Sequence, residues 1–334
     1  MAPVLGDFEP CLDRDGDRSE LLGYALADVE GQCWFPRPLC FRVQRGESRK
    51  SQWFALPPLH PVRDEGAWSS LGAPWRLVAQ ELPEGPEADE EDEADLLVSE
   101  ALLGDILTGE EVGSSFSGAI RERSDLYQPE TRLGLAMDNR SNTAQPGLLF
   151  SRPYRRFRGG ISGTDREWRS AGFLAWYRVK DLAGHRLGEW DGTGFLGGDR
   201  RRARFWFERE DGKPLADLCD RVVAAAMGSA GFFLYLLTPG FAEEDGGPAL
   251  EGIRPVATAV GRPLTVSGWD ALSETPGPRE IRTLYPAGSV FFYEWSAGLD
   301  DAARRAWIEK NWLEPLPGSW RTPGFGRALL GVWR

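Results

Sequence analysis

The chain has 334 residues, of which 41% are hydrophobic, so it can bury a sizeable core and form two domains. Its formal net charge of -12 argues at first sight against a polyanionic partner, since proteins that bind nucleic acids usually present a basic face. No stretch approaches the roughly 18 consecutive apolar residues of a membrane-spanning helix, and residues 1–15 lack the pattern of a secretory signal, which predicts a cytoplasmic protein.

The cysteines are too few and too scattered for a disulfide framework or a zinc site. Cys11, Cys33, Cys40 and Cys219 include no Cys-x-x-Cys pair. We expect them to be small core residues in a reducing compartment, and we expect neither a metal nor a cofactor.

The first half of the chain contains one long acidic run followed by a helix and three strands. Residues 84–95 hold eight carboxylates and no base, which predicts a solvated surface loop. Residues 95–107 have apolar side chains at helical spacing and stop before Gly109, which predicts a helix. Alternating polar and apolar residues predict strands at 132–138, 147–157 and 173–179.

The last 130 residues are more regular. Strands are predicted at 203–207, 231–237, 255–266, 289–295 and 326–333. Helices are predicted from Pro214 to Gly228 and over 300–312, the second with Ala303, Ala306 and Trp307 on one face. With one extra strand set aside, the order is β-α-β-β-α-β, which is that of the ferredoxin-like unit shared by RNA-recognition folds. The fold class is therefore α+β, although such a unit hosts many functions.

Charge is distributed unevenly. Residues 114–210 contain 18 basic and 12 acidic side chains, a net +6, which leaves -18 for the rest of the chain. Arginines cluster in SRPYRRFRGG and GGDRRRARFWF, and arginine is the cation whose planar fork grips phosphate and stacks on bases. Codon bias in a GC-rich genome explains the choice of arginine over lysine equally well, but it does not explain the clustering.

The string GTGFLG at residues 192–197 matches the dinucleotide fingerprint Gly-x-Gly-x-x-Gly but lacks its context. No buried strand precedes it, and Gly198 and four arginines follow it instead of a helix. We favour a flexible glycine loop whose backbone amides approach phosphates. The alternative is a plain hairpin turn with exposed arginines.

Catalytic candidates are few. With only His60 and His185, a histidine acid/base pair is not favoured; His185, near the basic region, could assist RNA cleavage or be a solvated loop residue. Fourteen Trp and many carboxylates would suit a carbohydrate-active enzyme, but no carboxylate pair is singled out. Trp206, Trp269 and Trp320 are equally consistent with core residues and with stacking platforms.

Residues 130–150, ETRLGLAMDNRSNTAQPGLLF, resemble a signature of one protein family. This family comprises the third subunits of the type III-B Cmr CRISPR effector complex, within the RAMP superfamily. Further similar segments follow in the family's order: FPRP at 35–38, LGGDRR at 196–201, VSGWD at 266–270, PAGSVFF at 286–292 and GFGRALLGVW at 324–333. Each motif alone is weak, but together they are fairly specific.

The N-terminus departs from the family pattern. Family members usually begin with a strand and a helix that carry Phe-Pro-Pro and Gly-Ala-Leu-Arg and that precede the Phe-Pro-x-Pro segment. Here about thirty residues precede Phe35, and they carry neither motif. The string SGAIR at 117–121 resembles Gly-Ala-Leu-Arg but comes too late in the order. The resemblance thus implies two ferredoxin-like RAMP domains, 1–170 with the acidic loop 84–95 and 171–334, the first lacking its usual first strand and helix and leaving an unpaired sheet edge. A miscalled start, a separate chain that supplies these elements, or a rebuilt domain would each explain it.

The resemblance implies a non-catalytic subunit for antiviral defence. Such a subunit binds the 5-prime handle of the CRISPR RNA and contacts the large polymerase-like subunit and a backbone subunit of the ribonucleoprotein. A single-stranded handle calls for arginine–phosphate pairs, glycine-loop amides and stacking aromatics. The candidate RNA-binding residues are Arg132, Asn142, Arg152, Arg155, Arg156, Arg158, Gly197, Gly198, Arg200, Arg201, Arg202, Trp269, Gly324 and Gly326.

Overall fold

The structure, a computed structural model, describes part of the chain. The described residues are 19–45, 53–55, 58–64, 75–78, 95–110, 112, 118–138, 140–141, 143–161, 168–179, 191–196, 201–207, 212–241, 247–250, 255–267, 269–270, 277–278, 280–317 and 324–334. The predicted acidic loop lies outside them except for Asp95. Among the described residues, no helix has the length and apolar character needed to cross a membrane.

The described residues form many strands and few helices, which confirms a mixed α/β protein rich in strands. The strands are β1 (Ser19–Ala27), β2 (Cys33–Pro36), β3 (Val43–Arg45), β4 (Trp53–Ala55), β5 (His60–Arg63), β6 (Trp75–Val78), β7 (Leu96–Ser99), β8 (Ile120–Glu122), β9 (Tyr127–Asp138), β10 (Thr143–Phe157), β11 (Gly159–Ile161), β12 (Trp168–Ser170), β13 (Gly172–Val179), β14 (Asp191–Leu196), β15 (Arg201–Trp206), β16 (Gly231–Leu236), β17 (Gly240–Phe241), β18 (Ala257–Ala259), β19 (Leu264–Val266), β20 (Trp269–Asp270), β21 (Gly277–Pro278), β22 (Arg282–Tyr285), β23 (Val290–Glu294) and β24 (Ala328–Trp333). The helices are α1 (Glu100–Thr108), α2 (Arg123–Leu126), α3 (Ala216–Ala225) and α4 (Asp301–Asn311).

Two larger sheets carry many of the buried side chains. A five-stranded antiparallel sheet has the order β13-β1-β2-β7-β8, and a four-stranded antiparallel sheet has the order β18-β23-β16-β24. The other strands pair in two-stranded ribbons and one three-stranded sheet. The strand β13 follows the predicted domain boundary at residue 170 yet pairs with β1; the boundary itself stays a prediction.

The predicted helix over 95–107 is a strand followed by a helix. All four residues of β7 are buried between β2 and β8, so sheet pairing prevails over helical spacing there. The helix α1 begins only after Ser99, whose hydroxyl accepts the Leu102 N–H, and it ends at Gly109 in the left-handed conformation at φ 67°.

The second sheet corrects two further predictions. The segment predicted as one strand over 255–266 is two strands, because β18 pairs with β23 while β19 pairs with β22. Exposed Pro263 separates them, and proline cannot donate to a strand ladder. The strand predicted at 203–207 is β15, which pairs with β14 instead of joining the four-stranded sheet.

The helix α4 is confirmed, but its buried face differs from the prediction. Asp300 caps it by accepting the Ala303 N–H at 2.7 Å. Ala303 and Ala306 are exposed, Trp307 is half-buried, and Ile308 is buried. Ile308 therefore packs into the core in place of the predicted alanines.

One hydrophobic core joins the two sheets. It includes Phe35, Leu96 and Leu103 from the first half of the chain together with Phe233 and Leu330 from the second, all at most 3% exposed. Across this junction, the Tyr235 hydroxyl donates to the Pro36 carbonyl. The two halves therefore share their buried apolar surface.

Two of the sequence motifs meet at the same junction. The N–H of Leu39, just after FPRP, donates to the carbonyl of Gly288, in PAGSVFF, at 2.9 Å. Gly288 has φ 94°, and a Cβ there would lie 2.6 Å from the Arg37 carbonyl oxygen. The close approach and the backbone conformation both require glycine.

Candidate nucleic-acid interface

The strands β9 and β10 form a long antiparallel hairpin. Their register runs from the pair Tyr127–Phe157 at the base to Asp138–Thr143 at the tip. At the base, Leu126 and Tyr127 join a buried cluster with Trp34 of the five-stranded sheet. The ring of Phe157 meets that of Tyr127 edge-on with centroids 6.0 Å apart. Among the described residues, this packing anchors the hairpin at its base.

The register divides the hairpin into two faces, because directly opposite residues in a sheet share a face. One face, the arginine face, carries Arg132 opposite Arg152, Glu130 opposite Tyr154, and Gln128 opposite Arg156. The other face is apolar toward the tip, with side chains that are 47% to 73% exposed. These residues form the apolar tip: Leu133, Leu135, Met137 and Leu149.

Arg132 is held in place on the arginine face. Its Nε donates to Glu130 Oε1 at 2.6 Å, and its guanidinium lies 5.4 Å from the ring centroid of Tyr154. The Arg132 side chain is still 46% exposed. This arrangement orients a partly exposed cation beside an aromatic ring.

Arg155 lies on the opposite face, near the base. Its guanidinium covers the ring of Tyr127 at 4.7 Å from the centroid. Arg155, Arg156 and Arg158 are all exposed, and the Arg158 N–H donates to the Leu126 carbonyl at 2.8 Å. The predicted arginines of this segment therefore surround the hairpin and do not all point one way.

The tip of the hairpin is closed by Asp138. Its carboxylate accepts the Arg140 backbone N–H at 2.8 Å. That hydrogen bond, with another from the Ser141 hydroxyl, lowers the pKa of Asp138 below its usual value, so the group is ionised at neutral pH. Asn142 lies outside the described residues.

The second arginine cluster lies on a separate ribbon formed by β14 and β15. Leu196 pairs with Arg201 and Phe195 with Arg202, while Gly197, Gly198 and Arg200 lie outside the described residues. The first part of GTGFLG is the strand β14 and not a flexible loop. A Cβ at Gly194 would lie 2.6 Å from the Phe205 ring, so glycine makes room for that ring.

The remaining predicted residues lie elsewhere. Trp269 in β20 pairs with Pro278. Gly324 and Gly326 are buried before β24, where the Gly324 carbonyl accepts the Thr238 hydroxyl and the Gly326 N–H donates to the Pro239 carbonyl. Their backbone groups therefore serve the core, and their contact with RNA stays a prediction.

His185, the residue considered for RNA cleavage, lies outside the described residues. The described residues contain no group of three or more His, Cys, Asp or Glu residues that could hold a metal ion. One cleft of about 120 Å³ is lined partly by Glu309, Glu314 and Trp312, but ligand pockets usually exceed about 300 Å³. Glu309 pairs with Arg305 at 2.9 Å, and Glu314 lies 3.9 Å from Arg178.

Two aromatic residues of the interface were missed from the sequence. Tyr154 and Tyr127, which lie under Arg132 and Arg155, fall within strands that the alternation only partly delimited. Tyr154 stands in the same SRPYRRF string as the arginines, so that string held the signal. Tyr127 precedes the predicted strand and could be paired with Arg155 only through the register.

Comparisons with known proteins point to one family. The family model described as CRISPR-associated protein (Cas_Cmr3) matches residues 16–333. No curated protein matches the chain. Two solved structures are similar to the chain. A chain of the type III-B Cmr-beta complex bound to cognate target RNA and AMPPnP is 11% identical, and the match covers 93% of this chain and 74% of that chain with a TM-score of 0.39. A chain of the Cmr-beta complex bound to cognate target RNA is 12% identical, and the match covers 84% of this chain and 67% of that chain with a TM-score of 0.39.

Proposed function

The chain belongs to the Cas_Cmr3 family of CRISPR-associated proteins, and on that premise we propose that it binds the 5-prime handle of CRISPR RNA without catalysing a reaction. In this role it is a subunit of a type III-B ribonucleoprotein that serves antiviral defence. The observation that carries the proposal is the arginine face of the hairpin. There, Arg132 and Arg156 lie on the same face as Tyr154, and the backbone of Arg152 pairs with that of Arg132.

This face has the chemistry that a single RNA strand needs. Guanidinium groups bind phosphate oxygens in a bidentate manner, and they also stack on bases. An aromatic ring beside them offers a stacking surface that tolerates any base. Glu130 orients Arg132 and leaves almost half of its side chain exposed, so the cation is fixed before RNA arrives.

We further propose that the same subunit anchors the large polymerase-like subunit to a backbone subunit. The residues outside 114–210 carry a net charge of -18, which disfavours RNA and suits protein neighbours with basic surfaces. The apolar tip exposes four large side chains on the face opposite the arginine face. RNA and protein can therefore contact the hairpin from different sides.

The order of the four-stranded sheet supports one ferredoxin-like domain, in the second half of the chain, as part of the proposal. The other such domain, in the first half, is proposed from the family resemblance alone. Numbered along the chain, the strands of the four-stranded sheet have the spatial order 4-1-3-2, and α4 connects the third to the fourth. This is the order of a split β-α-β unit. One difference is the position of the first helix. Here α3 precedes the first strand, β16, whereas a split β-α-β unit has its first helix after the first strand.

The first experiment is to purify the tagged chain from its native host and sequence the RNA that accompanies it. We expect CRISPR RNAs that share one repeat-derived 5-prime end. A random sample of cellular RNA, or none, would overturn the handle-binding proposal.

The arginine face is tested with the RNA end found in that experiment. Replacing Arg132, Arg152 and Arg156 with alanine should lower the slope of log affinity against log salt by about 0.7 per lost phosphate contact, as expected for single strands. Exposed Arg262, in the turn before β19, provides the matched control Arg262→Ala, which should keep the slope. An unchanged slope in the triple variant would show that the arginine face does not bind phosphate.

The absence of catalysis is tested by incubating the purified chain with RNA that contains the repeat. We expect the RNA to stay intact. Cleavage by the native chain that disappears in His185→Ala, while binding remains, would instead show a ribonuclease that processes CRISPR RNA.

A further inference from the structure

The edge strand β13 exposes two aromatic side chains that the arginine face does not include. Phe173 is 48% exposed and Tyr177 is 52% exposed. Side chains alternate along a strand, so these two rings and Ala175 between them share one face of the five-stranded sheet. We call Phe173, Ala175 and Tyr177 the β13 ledge.

The ledge adjoins the base of the hairpin. The ring of Phe173 meets that of Phe157 edge-on at 5.0 Å between centroids, and it meets Tyr24 of β1 at 6.2 Å. The register pairs Tyr24 with Ala175, which places both on the ledge side of the sheet. The hairpin base covers the part of this face formed by Leu26, Trp34 and Leu97, and the ledge stays open.

Phe173 contacts two neighbouring rings and stays half exposed. Its T-shaped contacts with Phe157 and Tyr24 orient the ring. Ala175 is too small to fill the space between the two large rings. The two rings are four positions apart, about 13 Å along a strand, so each ring can take a base of its own.

Positive charge lies beside the ledge. Arg155 is exposed and stacks on Tyr127, whose ring in turn contacts Phe157. Burial raises the pKa of Tyr24, while Arg123 and Arg155 act in the opposite direction, so both cations lie near this part of the sheet. Phosphates of a strand on the ledge would therefore meet guanidinium groups at the hairpin base.

We propose that the β13 ledge is a stacking platform that holds two unpaired bases of a single RNA strand, with Arg155 on a neighbouring phosphate. This inference rests on the proposed RNA-binding function and extends the interface from the hairpin to the sheet. RNA fits the ledge better than a protein does, because separated rings beside cations match alternating bases and phosphates.

The test uses the full chain and fluorescently labelled ten-nucleotide RNAs of unstructured mixed sequence. Tyr177→Ala and Phe173→Ala should each weaken binding roughly tenfold, the scale of one lost base stack. Neither should change the salt slope, since no phosphate contact is removed, whereas Arg155→Ala should reduce it. Tyr177→Phe should restore nearly native affinity.

A second probe removes bases and keeps phosphates. RNAs with two adjacent abasic sites, moved stepwise along the strand, should bind the native chain more weakly at one location. This penalty should vanish in Tyr177→Ala, because that variant has already lost the stack. The control Met227→Ala removes another exposed apolar side chain, 62% exposed and just after α3, and should behave as the native chain.

The outcomes separate the ledge from the wider function. If the native chain binds no RNA, the proposed function and the ledge both fail. If it binds RNA but the ledge variants keep their affinity and their abasic penalty, the ledge alone is wrong. If those variants bind RNA normally but lose another protein of the purified complex, the ledge is a protein contact, which also overturns the proposal. Phe173→Ala removes packing at the hairpin base and can impair folding. If that variant does not fold, the result with Tyr177→Ala decides between these outcomes.

Discussion

At the scale of single residues, the least predictable contact is a buried ion pair between opposite ends of the chain. Arg327 is fully buried, and its guanidinium donates to Glu20 Oε1 at 2.6 Å and to the Leu313 carbonyl at 3.0 Å. Glu20 also accepts Arg178 at 3.0 Å. No local sequence pattern couples residues 307 positions apart, so the sequence analysis predicted neither residue of this pair.

Removing Glu20 should be costly, because the Arg327 charge would stay buried without its carboxylate. We expect Glu20→Ala to lower the free energy of unfolding by about 3–5 kcal/mol, measured by urea denaturation. Arg178→Ala is the matched control: Arg178 is 44% exposed, so its loss should cost no more than about 1 kcal/mol. Equal losses in both variants would contradict the importance of the buried pair.

The cysteines were predicted to be core residues, and burial supports this for two of them. Cys40 and Cys219 are buried and Cys33 is half-buried, all as free thiols. Burial raises the pKa of Cys40 to about 12 and those of Cys33 and Cys219 to about 11. The reactive thiolate is therefore nearly absent at neutral pH.

Alkylation tests this directly. At pH 8, iodoacetamide should leave these three cysteines unmodified in the native chain and modify all three after denaturation, as read by peptide mass spectrometry. As the pH rises toward 11, Cys33 and Cys219 should react before Cys40, because their thiolates form first. Rapid modification of Cys40 at pH 8 would contradict its burial.

At the scale of elements, the alternation of polar and apolar residues predicted the hairpin strands well. The strands β9 and β10 pair only with each other among the described strands, so their structure depends mainly on their own residues. The strands β9 and β10 extend the predicted strands at 132–138 and 147–157. The failures were segments whose structure depends on distant partners. Residues 96–99 form a strand because β2 and β8 flank them, and residues 255–266 divide because two different strands pair with them.

The same limit applies to the candidate interface. The sequence indicated Arg132, Arg152, Arg155 and Arg156, and alternation along the predicted strand 147–157 separates Arg155 from Arg152 and Arg156. Only the register places Arg132 of β9 on the same face as the latter two. The interface also includes rings from β13, whose position beside the hairpin is set by pairing with β1.

The helix α4 offers a test of local capping. Replacing Asp300 with alanine leaves the Ala303 N–H without its carboxylate acceptor and should lower stability by about 1 kcal/mol. Asp300→Asn keeps an acceptor oxygen and should lose less. Thermal unfolding of the two variants measures the difference, and an Asp300→Ala variant as stable as the native chain would show that the cap is not needed.

At the scale of the whole molecule, the two sheets are joined by one core instead of a linker. Buried residues from β2, β7 and α1 share a cluster with residues from α3, β16 and β24. The length of the chain and its family resemblance predicted two domains, and the sequence contained no local sign of the shared core. Gly288 and Arg37 set how closely the two halves approach.

A shared core implies cooperative unfolding. We expect one urea transition, with the same midpoint from circular dichroism and from tryptophan fluorescence, since loss of either half exposes the apolar surface of the other. Substituting Gly288 with alanine should lower that single midpoint for both probes. Two transitions, of which Gly288→Ala shifts only one, would show that the halves are independent.

The pairing of Glu20 with Arg327 also bears on the order in which a ribosome makes the chain. At about 5–20 residues per second, translation needs roughly 15–60 seconds to proceed from one partner to the other. During that interval β1 lacks its pairing with β13 until that strand is made, and the Pro36 carbonyl lacks its hydrogen bond from Tyr235. The amino-terminal sheet therefore emerges early and completes late, which makes the nascent chain a natural client of chaperones that shield unpaired strands.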